Sequence, residues 1–198
     1  MVRKMVVKHQ HPTAIVESEN IGDGTRIWHF VHVRDGAKIG RGCNIGKGVY
    51  IDADVVMGNN VKVQNFVSIY KGVTIEDDVF IGPAVTFTND LYPRAFIWNE
   101  EAISYTKVES GASIGANSTI VSGATIGAYA MIGAGSVVTR DVVPFGLVYG
   151  NPAKLKGFVC YCGNKLKTVV EEREGAIVYG CSCGETVEIK KELLAWTM

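Results

Sequence analysis

The residues best suited to bind a metal lie near the end of the chain, where Cys160-Tyr-Cys162-Gly163 is answered, eighteen intervening residues after Cys162, by Cys181-Ser-Cys183-Gly184. Four thiolates could close a tetrahedral zinc site, and with every position taken by sulfur such a zinc is structural and keeps no place for a reactant. The glycine after each pair is typical of a metal-binding knuckle. A ribbon usually spaces its cysteines Cys-x-x-Cys, so the shorter gap leaves disulfides or free thiols open as alternatives. The residues best suited to move a proton lie at the other end: His9, His11, His29 and His32 are the only histidines. Any imidazole that acts as general base must therefore come from the first 32 residues.

The elements that carry these residues follow from a period of six. Stepping from Ile21 gives Ile21, Ile27, Val33, Ile39, Ile45, Ile51, Met57, Val63, Ile69, Ile75, Ile81 and Phe87, all large and apolar. Four places after each marker stand small or β-branched residues, among them Thr25, Val31, Ala37, Cys43, Val49 and Val55, so both positions can point inward. Glycine follows the marker at Gly22, Gly40, Gly46, Gly58, Gly82, Gly115, Gly127 and Gly133, which reads as corners with unusual backbone angles. Six does not fit the 3.6-residue helix, and each glycine inside a helix would cost about 1 kcal/mol. Short strands joined by tight turns fit the pattern. Three hexads make one triangular coil of 18 residues, stacking Ile21, Ile39, Met57 and Ile75 on one face at roughly 4.8 Å per coil. The register resumes at Val108 and runs through Ile114, Ile120, Ile126 and Ile132 to Val138, for eighteen hexads or about six coils.

Between Tyr92 and Val108 stand fifteen extra residues, 93–107, expected to loop outward from a corner, where solenoid insertions commonly build a binding site. The chain of 198 residues then divides into a β-helix over 1–156 and a small zinc-ribbon-like segment over 157–198. Twenty basic and twenty acidic side chains cancel, so nothing draws the molecule as a whole to a nucleic acid polymer or an anionic membrane. The N-terminus lacks a signal-peptide stretch and no run reaches the ~20 apolar residues of a membrane span, which points to the cytoplasm. In such a compartment clustered cysteines suggest metal before disulfides.

Hexads of this kind resemble the hexapeptide-repeat acyltransferases. That resemblance implies an all-β, left-handed parallel β-helix, a homotrimer with active sites between subunits, and acyl transfer from acetyl-CoA. Periodicity alone does not specify the hand. Within the group, Ile27-Trp-His-Phe-Val-His-Val33, Val63-Gln-Asn-Phe-Val-Ser-Ile-Tyr70, Gly82-Pro-Ala-Val-Thr-Phe-Thr-Asn89 and Tyr92-Pro-Arg94 resemble the nucleotide-diphospho-3-amino-sugar N-acetyltransferases of surface-glycan (lipopolysaccharide) synthesis. The likeness is greatest to the branch acting on a UDP-linked amino-glucuronate, with dTDP-linked 3-amino-3,6-dideoxyhexose enzymes as near relatives, and it runs from about His11 to Lys156.

The resemblance implies that Asn89 contacts the acceptor sugar near its amine. Arg26, His29, His32 and Arg34 are expected at the nucleotide or diphosphate end, and Asn65, Tyr70 and Arg94 around the sugar. Gly115-Ala116, Gly133-Ala134-Gly135 and Gly150-Asn151-Pro-Ala-Lys154 resemble the acetyl-CoA segments, with Arg140, Lys154 and Lys156 as partners for the coenzyme phosphates. The distal loop, Ala95 to Tyr105, lacks the basic residues that the glucuronate branch tends to carry, which puts recognition of a uronate in doubt. Nor does the loop hold a histidine. A hydroxyl acceptor needs a strong base, whereas a neutral amine attacks a thioester directly, so an amino-sugar acceptor is favoured. The alternatives are an O-acetyltransferase that takes its base from His29 or His32 and a non-catalytic scaffold, which would need neither the Phe-Thr-Asn segment nor Gly150-Asn-Pro-Ala-Lys154.

Overall fold

A typical hexad folds as a two-residue strand and a turn, because the marker and the small or β-branched residue four places on both face inward, and the rest must bend to bring the next pair round. In the computed structural model, which describes residues 9–97 and 103–194, these strands stack into three parallel sheets, the faces of a triangular solenoid. The first face runs from His9–Gln10 through Arg26–Ile27, Asn44–Ile45, Lys62–Val63, Phe80–Ile81, Ser113–Ile114 and Met131–Ile132 to Gly146–Tyr149. The second runs from Ile15–Val16 through His32–Val33, Tyr50–Ile51, Ser68–Ile69, Thr86–Phe87 and Thr119–Ile120 to Val137–Val138. The third holds Lys38–Ile39, Val56–Met57, Val73–Ile75, Thr106–Val108 and Thr125–Ile126, extended by Ile21 opposite Ile39 and Val142 opposite Ile126.

The expected register holds: Ile39 pairs with Met57 and Met57 with Ile75, and both inward columns are buried. Backbone amides of each coil donate to carbonyls of the next, as Arg26 does to Cys43 at 2.9 Å and Asn44 to Val61 at 2.9 Å. Parallel rungs satisfy the backbone polar groups of an otherwise apolar interior. The solenoid is longer than six coils. The first face has eight parallel rungs, because His9–Gln10 precedes the hexads and Gly146–Tyr149 follows them, and Ile15–Val16 likewise adds a rung to the second.

The repeated glycines have a different cause from the one their spacing suggests. Left-handed backbone falls three residues after the markers, at Gly24, Phe30, Gly36, Gly42, Gly48, Asp54, Asn60, Phe66, Gly72, Asp78 and Ala84. The glycine right after the marker is instead pressed against the next coil: a Cβ on Gly22 would lie 2.5 Å from the Gly40 carbonyl carbon. It is there because the coils touch, not because the chain turns.

The excursion also has different edges from 93–107. Asp90 bridges Ile103, and Val73 pairs with Thr106 and Thr74 with Lys107. Thr106 and Lys107 therefore already lie in the third face, where Lys107 Nζ reaches Glu76 Oε1 at 2.8 Å and Ser110 Oγ donates to Glu76 Oε2 at 2.9 Å. These contacts fasten the returning chain. Residues 98–102 of the loop, the first eight of the chain and 195–198 fall outside the described residues.

At the far end, Lys154–Phe158 turns back antiparallel to Gly146–Tyr149 and carries the chain across the 156/157 boundary without a break. A three-stranded antiparallel sheet follows, Thr168–Glu172, Ala176–Gly180 and Thr186–Lys190, then a short helix, Lys191–Leu194. Among the described residues no helix is long and apolar enough to cross a membrane.

Candidate active site

Residues 18 apart in the uninterrupted coils lie one above another, so side chains at the corners form vertical columns. The edge between the first and second faces carries His11, His29, Lys47 and Asn65, and by register continues through Pro83 to Ala116 and Ala134. The His11 and His29 rings stack with centroids 3.5 Å apart, and the Asn65 side chain accepts the Lys47 amide at 2.9 Å. A groove of about 240 Å³ opens beside them, lined by Trp28, His29, Asn44, Gly46, Lys47 and Asn65 among others. Phe30 and Phe66 stand exposed on the same edge with positive φ, and Lys47 Nζ lies 6.0 Å from one ring centroid and 5.7 Å from the other. A bulky side chain in left-handed backbone is strained, and such strain gathers at binding sites. Sequence reasoning passed over both phenylalanines, because that turn position usually holds glycine, asparagine or aspartate.

The outward side of the second face carries His32, Arg34 and Tyr70, together with Tyr50 and Asp52. His32 Nε2 is 2.8 Å from Glu17 Oε1 and Arg34 Nε donates to Glu17 Oε2 at 3.3 Å. Tyr50 donates to Asp52 at 3.0 Å, and its ring lies 5.6 Å from both His32 and Tyr70. The hydrogen bond from His32, then the Asp35 amide and Arg34, hold the Glu17 carboxyl below the usual glutamate range. With its folded value depressed, the contribution of Glu17 to stability is complete above the unfolded pKa and is lost as pH falls through the folded one. A carbon-detected NMR titration should show the Glu17 midpoint below that of an ordinary glutamate, and His32→Ala should move it upward. An unmoved midpoint would mean that the pair does not persist in solution.

The edge between the second and third faces carries Lys71, Asn89, Ser122 and Arg140, with the excursion rooted at Asn89. The Asn89 carbonyl accepts the Ser104 amide at 3.2 Å, and Thr88 Oγ1 accepts the Ser122 amide at 3.0 Å. Among the described residues the Asn89 side chain has no hydrogen-bond partner, and the buried Ser122 Oγ one rung on has none either. Arg94 is exposed beyond this root, its guanidinium donating to the Pro93 carbonyl at 3.1 Å. Arg140, Lys154 and Lys156 converge at the end of the solenoid around a cavity of about 140 Å³, also lined by Asp141 and Val148. Asn151 sits in the adjoining turn, before a cis proline.

Within one subunit the expected groups are divided. Arg26 points from the first face, opposite Asn44, while His32 and Arg34 point from the second, because six residues carry the chain round one side of the triangle. Asn65 and Asn89 lie on different edges for the same reason. Gly115 and Gly133 are glycines on packing grounds, since an added Cβ would lie 2.5 Å from the Ala134 amide nitrogen and 2.7 Å from Tyr149 Cβ respectively. Gly135, which the sequence places with them in the coenzyme segments, instead faces open space.

Residues 20–53, 54–89 and 105–140 match the bacterial transferase hexapeptide family, with the excursion falling in the gap between the last two segments. The chain belongs to the bacterial transferase hexapeptide family. Among its relatives, the chain is 52% identical over 175 residues, 88% of each chain, to a dTDP-3-amino-3,6-dideoxy-alpha-D-galactopyranose 3-N-acetyltransferase of Aneurinibacillus thermoaerophilus. A hexapeptide-repeat acetyltransferase of Vibrio cholerae, solved with acetyl-coenzyme A, is 27% identical with a TM-score of 0.55 over 62% of this chain and 70% of that one. A variant of GDP-perosamine N-acetyltransferase of Caulobacter crescentus, solved with CoA and GDP-perosamine, shares the fold at 24% identity and a TM-score of 0.53, over 77% of this chain and 58% of that one.

Proposed function

We propose that this protein transfers the acetyl group of acetyl-CoA to the 3-amino group of a nucleotide-linked 3-amino-3,6-dideoxyhexose, with dTDP as the nucleotide. The observation that carries the reading is the 52% identity, over 88% of both chains, to a transferase named for that reaction. Two features of the chain agree with it. A 6-deoxy sugar has no carboxylate to pair, and the stretch from Ala95 to Tyr105 has no lysine or arginine. His32 is engaged with Glu17 and His29 stacks on His11, so within one subunit neither imidazole stands at the root of the loop.

The neutral amine attacks the thioester carbonyl, the tetrahedral adduct collapses with loss of the C–S electron pair to sulfur, and the amine proton passes to the departing thiolate. Asn89 holds the acceptor near its amine. Arg140, Lys154 and Lys156 hold the coenzyme phosphates, and Ala116, Ala134 and Gly135 leave room for the pantetheine along the first edge. Asn151 lies beside the coenzyme in this reading, Tyr70 and Arg94 beside the sugar, and Arg26, His29, His32 and Arg34 toward the nucleotide. The division of these groups over two edges is resolved if the chain is a homotrimer, with one subunit's first edge facing its neighbour's second. The same reading takes the protein to the cytoplasm, to lipopolysaccharide or other surface-glycan synthesis, and to a structural zinc at the four cysteines.

Incubating the purified chain with acetyl-CoA and a panel of dTDP- and UDP-linked amino sugars, while following thiol release, tests this. Release is expected with the dTDP-linked 3-amino-3,6-dideoxyhexoses. A preference for UDP-linked sugars would change the nucleotide, and no release with any 3-amino sugar would overturn the reading.

A further inference from the structure

A β-solenoid buries its core coil by coil, so its last coil presents apolar side chains with no further coil to cover them. In this chain the last inward residues, Val138, Val142, Val143 and Val148, are nonetheless buried. They belong to one apolar cluster with Leu155 and Phe158 of the antiparallel return strand, Leu166 of the following turn, and Val187 and Ile189 of the C-terminal sheet. That sheet has three strands and an all-exposed edge strand, Thr168–Glu172. A unit of this size is marginal by itself and needs a staple.

The four cysteines supply a place for one. Cys160 Sγ and Cys183 Sγ are 3.7 Å apart, Cys162 Sγ and Cys181 Sγ 3.6 Å, and all four sulfurs lie within 4.8 Å of one another. Zinc–sulfur bonds of about 2.3 Å in a tetrahedron require sulfur–sulfur edges of about 3.8 Å. The two knuckles have matching backbones. Gly163 N donates to the Cys160 carbonyl at 2.8 Å as Gly184 N does to that of Cys181 at 3.0 Å, and Cys160 N and Cys181 N donate to Asn164 and Glu185, each at 2.9 Å.

The two halves of the cluster sit on different bodies. The first knuckle is tied to the solenoid: Val159 N donates to the Phe145 carbonyl at 2.8 Å, and the Tyr161 ring lies edge-on to Tyr129 and Phe145 at 4.8 and 5.0 Å. The second knuckle is the turn of the sheet, between Ala176–Gly180 and Thr186–Lys190. A group bound by all four cysteines therefore joins the sheet to the end of the solenoid, at a point two residues beyond the strand Lys154–Phe158.

We propose that Cys160, Cys162, Cys181 and Cys183 bind one zinc ion as a tetrathiolate, and that this ion clamps the C-terminal sheet over the open end of the solenoid and so fixes the strand carrying Lys154 and Lys156. The coupling to coenzyme binding rests on the reading that these lysines hold the coenzyme phosphates; the metal site and the clamp do not.

The experiment uses the full chain. Its zinc content is measured after purification, and the protein is reloaded with cobalt to look for the sulfur-to-cobalt charge-transfer bands of a tetrahedral thiolate site. The melting temperature and the Kd for coenzyme A, read by calorimetry, are then compared with and without metal and for Cys160→Ser/Cys183→Ser. The expected results are one zinc per chain, the cobalt bands, a lower melting temperature without metal, and coenzyme A binding weakened roughly tenfold. Metal-free protein with four titratable thiols or two disulfides would overturn the site. An unchanged melting temperature on metal removal would overturn the clamp, and an unchanged coenzyme Kd would overturn its link to the lysines. The cobalt spectrum of the unmodified chain decides the site even where the serine variant fails to fold. A chain that binds metal and coenzyme as expected yet acetylates no amino sugar would uphold the clamp and count only against the proposed acceptor.

Discussion

Asn89→Ala is expected to lower kcat for the amino sugar by about 10²-fold, the typical loss when a group that orients reacting atoms is removed, while melting temperature and oligomer size stay at wild-type values. The backbone there is held without the side chain: the Asn89 carbonyl accepts from Ser104 at 3.2 Å, and the neighbouring Thr88 Oγ1 accepts from Ser122 at 3.0 Å. The side-chain amide has no hydrogen-bond partner among the described residues, so alanine leaves none of their polar groups unpaired. Its cost should therefore fall on the reaction. A loss shared by kcat and kcat/KM identifies an interaction made in the transition state, whereas a rise in KM alone would make Asn89 a passive contact. Wild-type kinetics would place the acceptor elsewhere, and the buried, unpartnered Ser122 hydroxyl one rung on would become the next candidate.

The three faces were legible because burial in a solenoid depends on two columns per hexad, one written in large apolar residues and the other in small or β-branched ones, within Ile21 to Val138. The ends were not, for a geometric reason. Gln10 pairs with Ile27 and Val16 with Val33, 17 residues apart, and Ile132 pairs with Val148 only 16 apart, so a search in strict steps of six steps past the terminal rungs. The loop was found but misplaced, because Thr106 and Lys107 pair with Val73 and Thr74 ahead of the first apolar marker that resumes the count. Arg140, Lys154 and Lys156, which the sequence offers as partners for the coenzyme phosphates, line one cavity at the end of the solenoid. The separation of Arg26 from His32 was not foreseen, because a linear motif, Ile27 to Val33, wraps a corner of the triangle and sends its two ends to different faces. Phe30 and Phe66 had the least warning of all. Their exposure follows from a turn position that composition normally fills with small or polar residues.

The glycine repeat offers a stability test of which force the hexads obey. Gly40→Ala would place its Cβ against the Gly58 carbonyl, 2.5 Å from the carbonyl carbon and 2.9 Å from Asn59 N, all backbone atoms of the next coil. Backbone in a stacked rung cannot rotate away as a side chain can, so relief requires two coils to separate. Forced overpacking costs about 1–3 kcal/mol and occasionally more. With both partners rigid, roughly 3 kcal/mol is expected, a fall in melting temperature of about 6–12 °C for a chain of this size. Gly135→Ala is the contrasting case, with φ at 70° and nothing within 4 Å of an added Cβ. There the only cost is left-handed backbone, about 1–2 kcal/mol. Thermal unfolding of the two variants side by side separates the causes. The larger loss at Gly40 means that contact between coils demands glycine at those corners where it follows a marker. The larger loss at Gly135 would mean that the turn does, and that neighbouring coils can part far enough to admit a methyl group.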